Sequence, residues 1–375
     1  AESRVSGNYH DVFSHLTRVN RSVARLWHHN VTAPIRIRRP INQCVDMETL
    51  LLNGEDVREH AALEDVVPAV EAAFAAFARG DAQMPAKSYI DLPKYNGDFR
   101  SMPAYLATEA WDAAGIKWIN VHPNNPERFD LPTVLGTMIY SDPETAFPLA
   151  IIDGQHLTQL RTGAAAAVAT DHLAVPDATS LGIIGAGVQS YTQLRAISQV
   201  RNIERVVIAD RDEERIEAFV AAFEDEFSVS GGSIADAAAC DILSTVTPVE
   251  SPIVTREAVG PHTHINAIGA DAVGKHELAD QILLDAKLVI DDYEQTTHSG
   301  EINVPWSQGI LGDDDIYGSL GQIVIGEKPG RVDGDGVTVF DSTGLAIQDL
   351  AAAHVAYERA TESGAGDTFD FFDLG

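Results

Sequence analysis

The sequence predicts an α/β fold, a doubly wound parallel sheet beside a second, α+β domain. Three observations carry this. Residues 179–195, TSLGIIGAGVQSYTQLR, read as a short apolar strand, a glycine turn and the start of a helix. From there to residue 290, apolar strand-like runs alternate with helical spacing, the pattern that winds a parallel sheet on both faces. Before it, short strand candidates separated by turns follow one amphipathic helix, which reads as a mixed or antiparallel sheet.

Taken in order, residues 1–46 stand apart, with seven arginines against Glu2, Asp11 and Asp46 and with four of the thirteen histidines. They lack sustained apolar periodicity and are expected to be a poorly ordered extension ahead of a true start at Met47. Residues 49–52 read as a strand. Val66, Val70, Ala73, Phe74 and Phe77 then recur at helical spacing up to Gly80. Strand candidates follow at 87–92, 99–106, 115–121, 133–140 and 148–153, and an alanine-rich helix at 161–173 leads to a hinge at Pro176-Asp177. In the second half, strands are expected at 181–184, 206–209, 242–245, 264–267 and 288–290, with helices at 188–196, 213–227 and 234–239. A strand at 337–340 and a helix at 346–360 are expected to return to the first domain. The Gly- and Asp-rich end, from Ser363, is expected to fray.

The glycine turn is the most informative stretch. A turn of this kind aims the free N–H groups of a helix N-terminus, the positive end of its dipole, at an anion, and Gly185 and Gly187 let a pyrophosphate approach the backbone. A second apolar run, residues 206–209, ends in Asp210, where an acid would hold a ribose 2′-hydroxyl. Arg211 beside it is the residue that could receive a 2′-phosphate instead. The bland alternative is an ordinary tight strand-to-helix turn. The paired Asp210 favours a dinucleotide site, and NAD over NADP.

Composition narrows the classes. A net charge of −30 and an isoelectric point near 4.6 repel phosphate backbones and anionic membranes, so neither nucleic acid nor membrane is an expected partner. No run of about 18 apolar residues suits a membrane span. Cys44 and Cys240 are too few for a disulfide framework or thiolate metal site, so a soluble cytoplasmic protein without metal is expected. The 56 acids against 26 basic residues resemble proteins of a salt-rich cytoplasm, where screening removes their mutual repulsion. Activity that requires molar salt is the expected result; full activity and stability in dilute buffer would contradict it.

Ligands of a doubly wound sheet bind beyond the carboxyl ends of its strands. Thr245 and Thr247 follow one strand there, and Ile268 and Asp271 follow another, although Asp271 could equally cap a helix begun by Lys275. From the first domain, Lys87, Arg100 and Lys117 leave strand candidates and Arg161 opens a helix. Singly each reads as a solvated charge. Yet three of the chain's six lysines, at 87, 117 and 275, sit beside apolar runs, which points to a carboxylate-binding pocket.

The blocks MPAKSYI (84–90), FRSMPAY (99–105), IKWINVHP (116–123), LRTGAAAA (160–167), GAGVQS (185–190), INAIGADAVGKHEL (265–278) and VFDSTGLAIQD (339–349) resemble the ornithine cyclodeaminase and mu-crystallin family over nearly all of 47–362. The resemblance implies a Rossmann-type NAD-binding domain over 173–321 and a substrate-binding and dimerisation domain over 47–172 and 322–375. It makes Lys117 and Asp271 the catalytic pair. Arg161, Val188, Gln189, Asp210, Lys275 and Ser342 would line the dinucleotide, with Thr133 adding a hydroxyl, and Thr343 in the last block would stand near the substrate. Cyclising members carry an acid at the position of Arg100, where an anion receives a distal amine; an arginine there pairs instead with an α-carboxylate. The similarity is strongest to alanine-dehydrogenase-like members. The expected reaction is NAD-dependent deamination of L-alanine to pyruvate, with ornithine cyclisation or imine reduction as the alternative, and a non-catalytic cofactor and ligand binder as a further one. The exposed edges of the short strands predict a homodimer through the first domain.

Overall fold

The computed structural model describes residues 48–372, so the expected extension over 1–46 lies outside the described residues. Two sheets of eight strands organise the chain. The first is mixed, in the order Asp367–Phe369, Thr49–Leu52, Pro148–Asp153, Val134–Ser141, Asp112–Val121, Gly97–Ala107 and Ala82–Gln83, with Ser88–Leu92 also pairing to Gly97–Ala107. Only Thr49–Leu52 and Pro148–Asp153 run parallel; the other neighbours are antiparallel. Along Gly97–Ala107 buried and half-buried residues alternate, the period expected of a strand with one face on the core.

Three long helices back this sheet. Leu63–Arg79 opens with Glu64 and Asp65 and carries Arg79 in its last turn, charges that suit the two ends of the helix dipole. Gly154–Leu173 begins where the Asp153 carboxylate accepts the N–H groups of Gln155 and His156. Its alanine run from 164 to 169 is buried throughout, because small side chains let neighbouring helices pack close on every side. Ala346–Ser363 is the third.

The second sheet is wholly parallel: Ser228–Gly231, Arg205–Ala209, Ser180–Ile184, Ile242–Thr245, His264–Ala267, Thr338–Asp341, Lys287–Ile290 and Ile316–Ser319. Strand order reverses between Ser180–Ile184 and Ile242–Thr245, which opens a crevice beyond their carboxyl ends. Here the structure corrects the sequence. The strand expected to return to the first domain enters this sheet between His264–Ala267 and Lys287–Ile290, since all four of its residues are buried and only a central position buries both faces. Only the helix after it packs on the first sheet. The end expected to fray from Ser363 instead places Asp367–Phe369 antiparallel to Thr49–Leu52. The helix expected over 213–227 stops at Phe223, and Ser228–Gly231 and Ile316–Ser319, short and poor in apolar residues, gave no strand signal.

Candidate active site

A cleft of about 250 Å³ lies where the first sheet meets the carboxyl ends of the second. Arg100 stands on the strand Gly97–Ala107 and Lys117 on its neighbour Asp112–Val121, with Arg161 on the helix Gly154–Leu173; all three are nearly fully buried, at 9%, 1% and 9% exposure, and Lys87 joins them at half-burial. Four cations in so little water require partners. Asp98, two residues from Arg100 and on the same face of the strand, accepts from Arg100 Nε and Nη2 at 3.2 and 2.9 Å. Asp271 accepts from Arg100 Nη1 at 3.0 Å and from Lys275 Nζ. It caps no helix, because the next one begins only at Asp280. Its ion pair with Arg100 spans the cleft and joins the two sheets.

Deeper in, Lys117 Nζ donates to Asp349 Oδ1 at 2.6 Å and to Thr158 Oγ1 at 3.1 Å. Arg161 Nε donates to the same Asp349 oxygen at 3.0 Å, and its Nη1 to Gln348 Oε1 at 3.3 Å. Gly344 makes room for this guanidinium: a Cβ there would stand 2.4 Å from Arg161 Nη1, and its φ of +74° is one that residues with side chains rarely adopt. Lys87 Nζ donates to the Thr343 carbonyl at 2.7 Å. The loop carrying that carbonyl is pinned by buried Asp291, which accepts the N–H groups of Thr343 and Gly344 at 2.6 and 3.1 Å.

These surroundings shift the titrating groups. Burial pulls Lys117 down to about 7, with Asp349 raising and Arg161 lowering it. Loss of water likewise lowers Lys87 to about 8, against the pull of Asp291. Burial alone would lift the Asp271 carboxyl, but Lys275 and Arg100 together hold it well below the usual carboxylate range.

On the cofactor side, Gly185 has φ +106°, which turns the chain from the strand Ser180–Ile184 toward the helix Val188–Ile197. Gly187 caps that helix with no side chain on its N–H groups, and a Cβ added there would meet nothing within 4 Å. That open ground over free helix N–H groups fits a dinucleotide pyrophosphate. Asp210 Oδ2 accepts the Ala186 N–H at 2.6 Å and Oδ1 that of Asp212 at 3.0 Å, so its carboxylate braces the turn from the second strand. Arg211 beside it is exposed.

The structure thus brings Lys87, Arg100, Lys117, Arg161, Gln189, Thr247, Ile268, Asp271, Ser342 and Thr343 to one cleft, with Lys275 bound to Asp271. Val188 lies exposed in the first helical turn, and Thr133 precedes Val134 of the wall. Two expectations need correction. Thr245 is fully buried at its strand end rather than in the wall. The hydroxyls of Thr247 and Thr343 are given to the buried acids Glu277 and Asp291, which orders the loops and leaves no donor hydrogen for a ligand. Lys117 and Asp271, expected as the catalytic pair, both line the cleft, each held by its own partner of opposite charge. Sequence reading missed Asp98, Asp291 and Asp349. Signals existed: Asp98 shares a strand face with Arg100, Asp291 ends a strand at its carboxyl side, and Asp349 closes the block VFDSTGLAIQD.

The family model for the ornithine cyclodeaminase/mu-crystallin family matches residues 47–364. The chain belongs to that family. It is 46% identical to an alanine dehydrogenase of Archaeoglobus fulgidus over 88% of this chain and 100% of that one. Among solved structures, an archaeal alanine dehydrogenase dimer with bound NAD superposes with a TM-score of 0.83 at 45% identity, covering 87% of this chain and 100% of that one. A Thermococcus litoralis Δ1-pyrroline-2-carboxylate reductase in complex with NADH and L-proline gives 0.81 at 35% identity, over 85% and 99%. The membership fits the cleft: a dinucleotide turn on one wall and a cluster of cations on the other. Among the described residues no helix is long and apolar enough to cross a membrane, and no group of side chains is set to hold a metal ion.

Proposed function

We propose that this protein, an NAD-dependent oxidoreductase of its family, oxidatively deaminates a small L-amino acid: L-alanine, NAD+ and water giving pyruvate, ammonium, NADH and a proton. The observation that carries the choice of substrate is Arg100. It stands in the cleft wall, where its charge would repel a cationic side chain and attract a carboxylate. The carboxylate clamp belongs to the first sheet and the dinucleotide turn to the second.

When bound, the dinucleotide supplies the acceptor for the substrate's α-hydrogen as hydride. The chain's own groups do the rest. Arg100 and Lys87 hold the α-carboxylate, and Arg161 adds to the positive floor. Asp271, kept ionised by Arg100 and Lys275, is a poor base and acts as the anion that stabilises the iminium cation. Lys117 titrates near neutrality, so it is the group poised to take the proton from the water that attacks the iminium carbon. A spectrophotometric scan of NADH formation over a panel of amino acids tests the reading. Turnover of alanine should lead; ornithine converted to proline faster than alanine to pyruvate would overturn it, and binding without any turnover would favour a ligand-binding role.

NAD should be preferred to NADP. The Asp210 carboxylate is fixed at the strand end by two N–H groups, so a 2′-phosphate would meet like charge, whereas ribose hydroxyls can donate to it. Arg211 is followed by Asp212, Glu213 and Glu214, which compete for its charge. Comparing kcat/KM for both cofactors in the wild type and Asp210→Ala checks this, and equal use of NADP by the wild type would give the pocket to Arg211.

A homodimer through the first sheet is also expected. Support comes from its face as well as its edges: Ile90, Trp118, Leu135 and Ile139 are exposed on its strands, and Phe99 stacks on Trp118 at 5.1 Å. Light scattering in salt high enough to keep the fold should give the mass of two chains; a monomer would count against it.

A further inference from the structure

We propose that Asp349 is the positioning residue of this site, one of its oxygens tying Lys117 and Arg161 to a single point at the floor of the cleft. The inference rests on the reading above for its functional meaning, though not for its test. The geometry is specific. Asp349 sits in the first turn of the helix Ala346–Ser363, fully buried, and Oδ1 alone accepts from Lys117 Nζ at 2.6 Å and from Arg161 Nε at 3.0 Å. Its Oδ2 is buried with no hydrogen-bond partner, so the carboxylate spends its bonding on the two cations through one atom. The two bonded cations come from different elements, a strand of the first sheet and the helix Gly154–Leu173. Without the carboxylate between them they would repel and separate.

Two consequences follow for Lys117. Its position is fixed by an anion and by Thr158 Oγ1, so the ammonium cannot swing to follow a substrate. Its proton is governed by a contest. Asp349 favours the charged form, whereas burial, Arg161 from the adjoining helix and Lys87 from the segment before Ser88–Leu92 favour the neutral one. Remove Asp349 and the charges left acting on Lys117, from Arg161 and Lys87, disfavour the proton. Remove Arg161 and the balance moves the other way. A buried acid that served packing alone would produce no fall of Lys117 in Asp349→Asn.

Only six lysines occur in the chain, so protein labelled with 13C-lysine gives few signals, and Lys117→Met assigns the one of interest by its loss. Titrating the whole chain by NMR needs no substrate and no turnover. The Lys117 signal should titrate near 7 in the wild type, fall by about one pH unit or more in Asp349→Asn, and rise by a similar amount in Arg161→Gln, as expected when an opposite or like charge within contact distance is removed. The acid limb of kcat/KM should move in the same directions. A wild-type Lys117 that titrates near the ordinary lysine value, or shifts of the same sign in the two variants, would overturn the proposal. Should Asp349→Asn not fold, Arg161→Gln still decides, because that variant leaves the Lys117 and Asp349 pair intact and an unmoved Lys117 signal would refute the shared oxygen. An inactive protein whose Lys117 nevertheless shows the opposed shifts would sink the assigned reaction and leave the positioning role standing.

Discussion

Lys117→Met should lower kcat by about 10²- to 10⁴-fold, the range that a positioned acid or base contributes, with KM changed far less. Methionine nearly matches the lysine stem in length and buries without charge, and Asp349 keeps Arg161 as its counter-ion, so the fold should survive. The wild-type pH profile carries the signature. As a base Lys117 must be neutral, so kcat/KM should fall as pH drops below about 7. It should fall again as Lys87, held near 8, loses on rising pH the charge that binds the carboxylate. The variant should lose the acid limb and keep the alkaline one. Activity close to that of the wild type, or an unchanged acid limb, would assign the proton transfer to another group.

Local patterns made most of this architecture legible. The strand, turn and helix at 180–197 follow from apolar residues meeting a glycine that must adopt positive φ, and Asp210 could be read because it ends the next apolar run. The strand before the last helix was misplaced for a physical reason. Thr338–Asp341 is next in sequence to a helix that packs on the first sheet, and nothing local says that its own neighbours are His264–Ala267 and Lys287–Ile290. In the site, the cations stood out because lysine is scarce in the chain and three of its six lysines lie beside apolar runs. Their partners were not. A carboxylate such as Asp349 looks in the sequence like any acid in a first helical turn, where it would suit the dipole, and only the fold brings it to Lys117, 232 residues away. The hydroxyls of Thr247 and Thr343 failed in the same way, since the buried acids that take them are set by tertiary packing.

Arg100→Ala should raise KM for both alanine and pyruvate and cost about 2–5 kcal/mol in kcat/KM, the range for removing one partner of a desolvated charge pair. The guanidinium has five N–H groups, and Asp98 takes those of Nε and one of Nη2 while Asp271 takes one of Nη1. One N–H remains on each Nη, available to donate to a ligand carboxylate. Asp98 aims Arg100 while pairing with it, and Arg100→Lys, which keeps the charge and loses the planar set of donors, should recover only part of the loss. The alanine variant also frees Asp98 and leaves Asp271 with Lys275 alone, so the cleft loses one positive charge and gains an unpaired carboxylate there. Its discrimination against ornithine should fall with that change, because a distal ammonium would then meet two acids in place of an arginine. Unchanged kinetics for alanine in Arg100→Ala would refute the clamp. A lower KM for alanine together with undiminished rejection of ornithine would mean that the arginine serves only to hold the two sheets across the cleft.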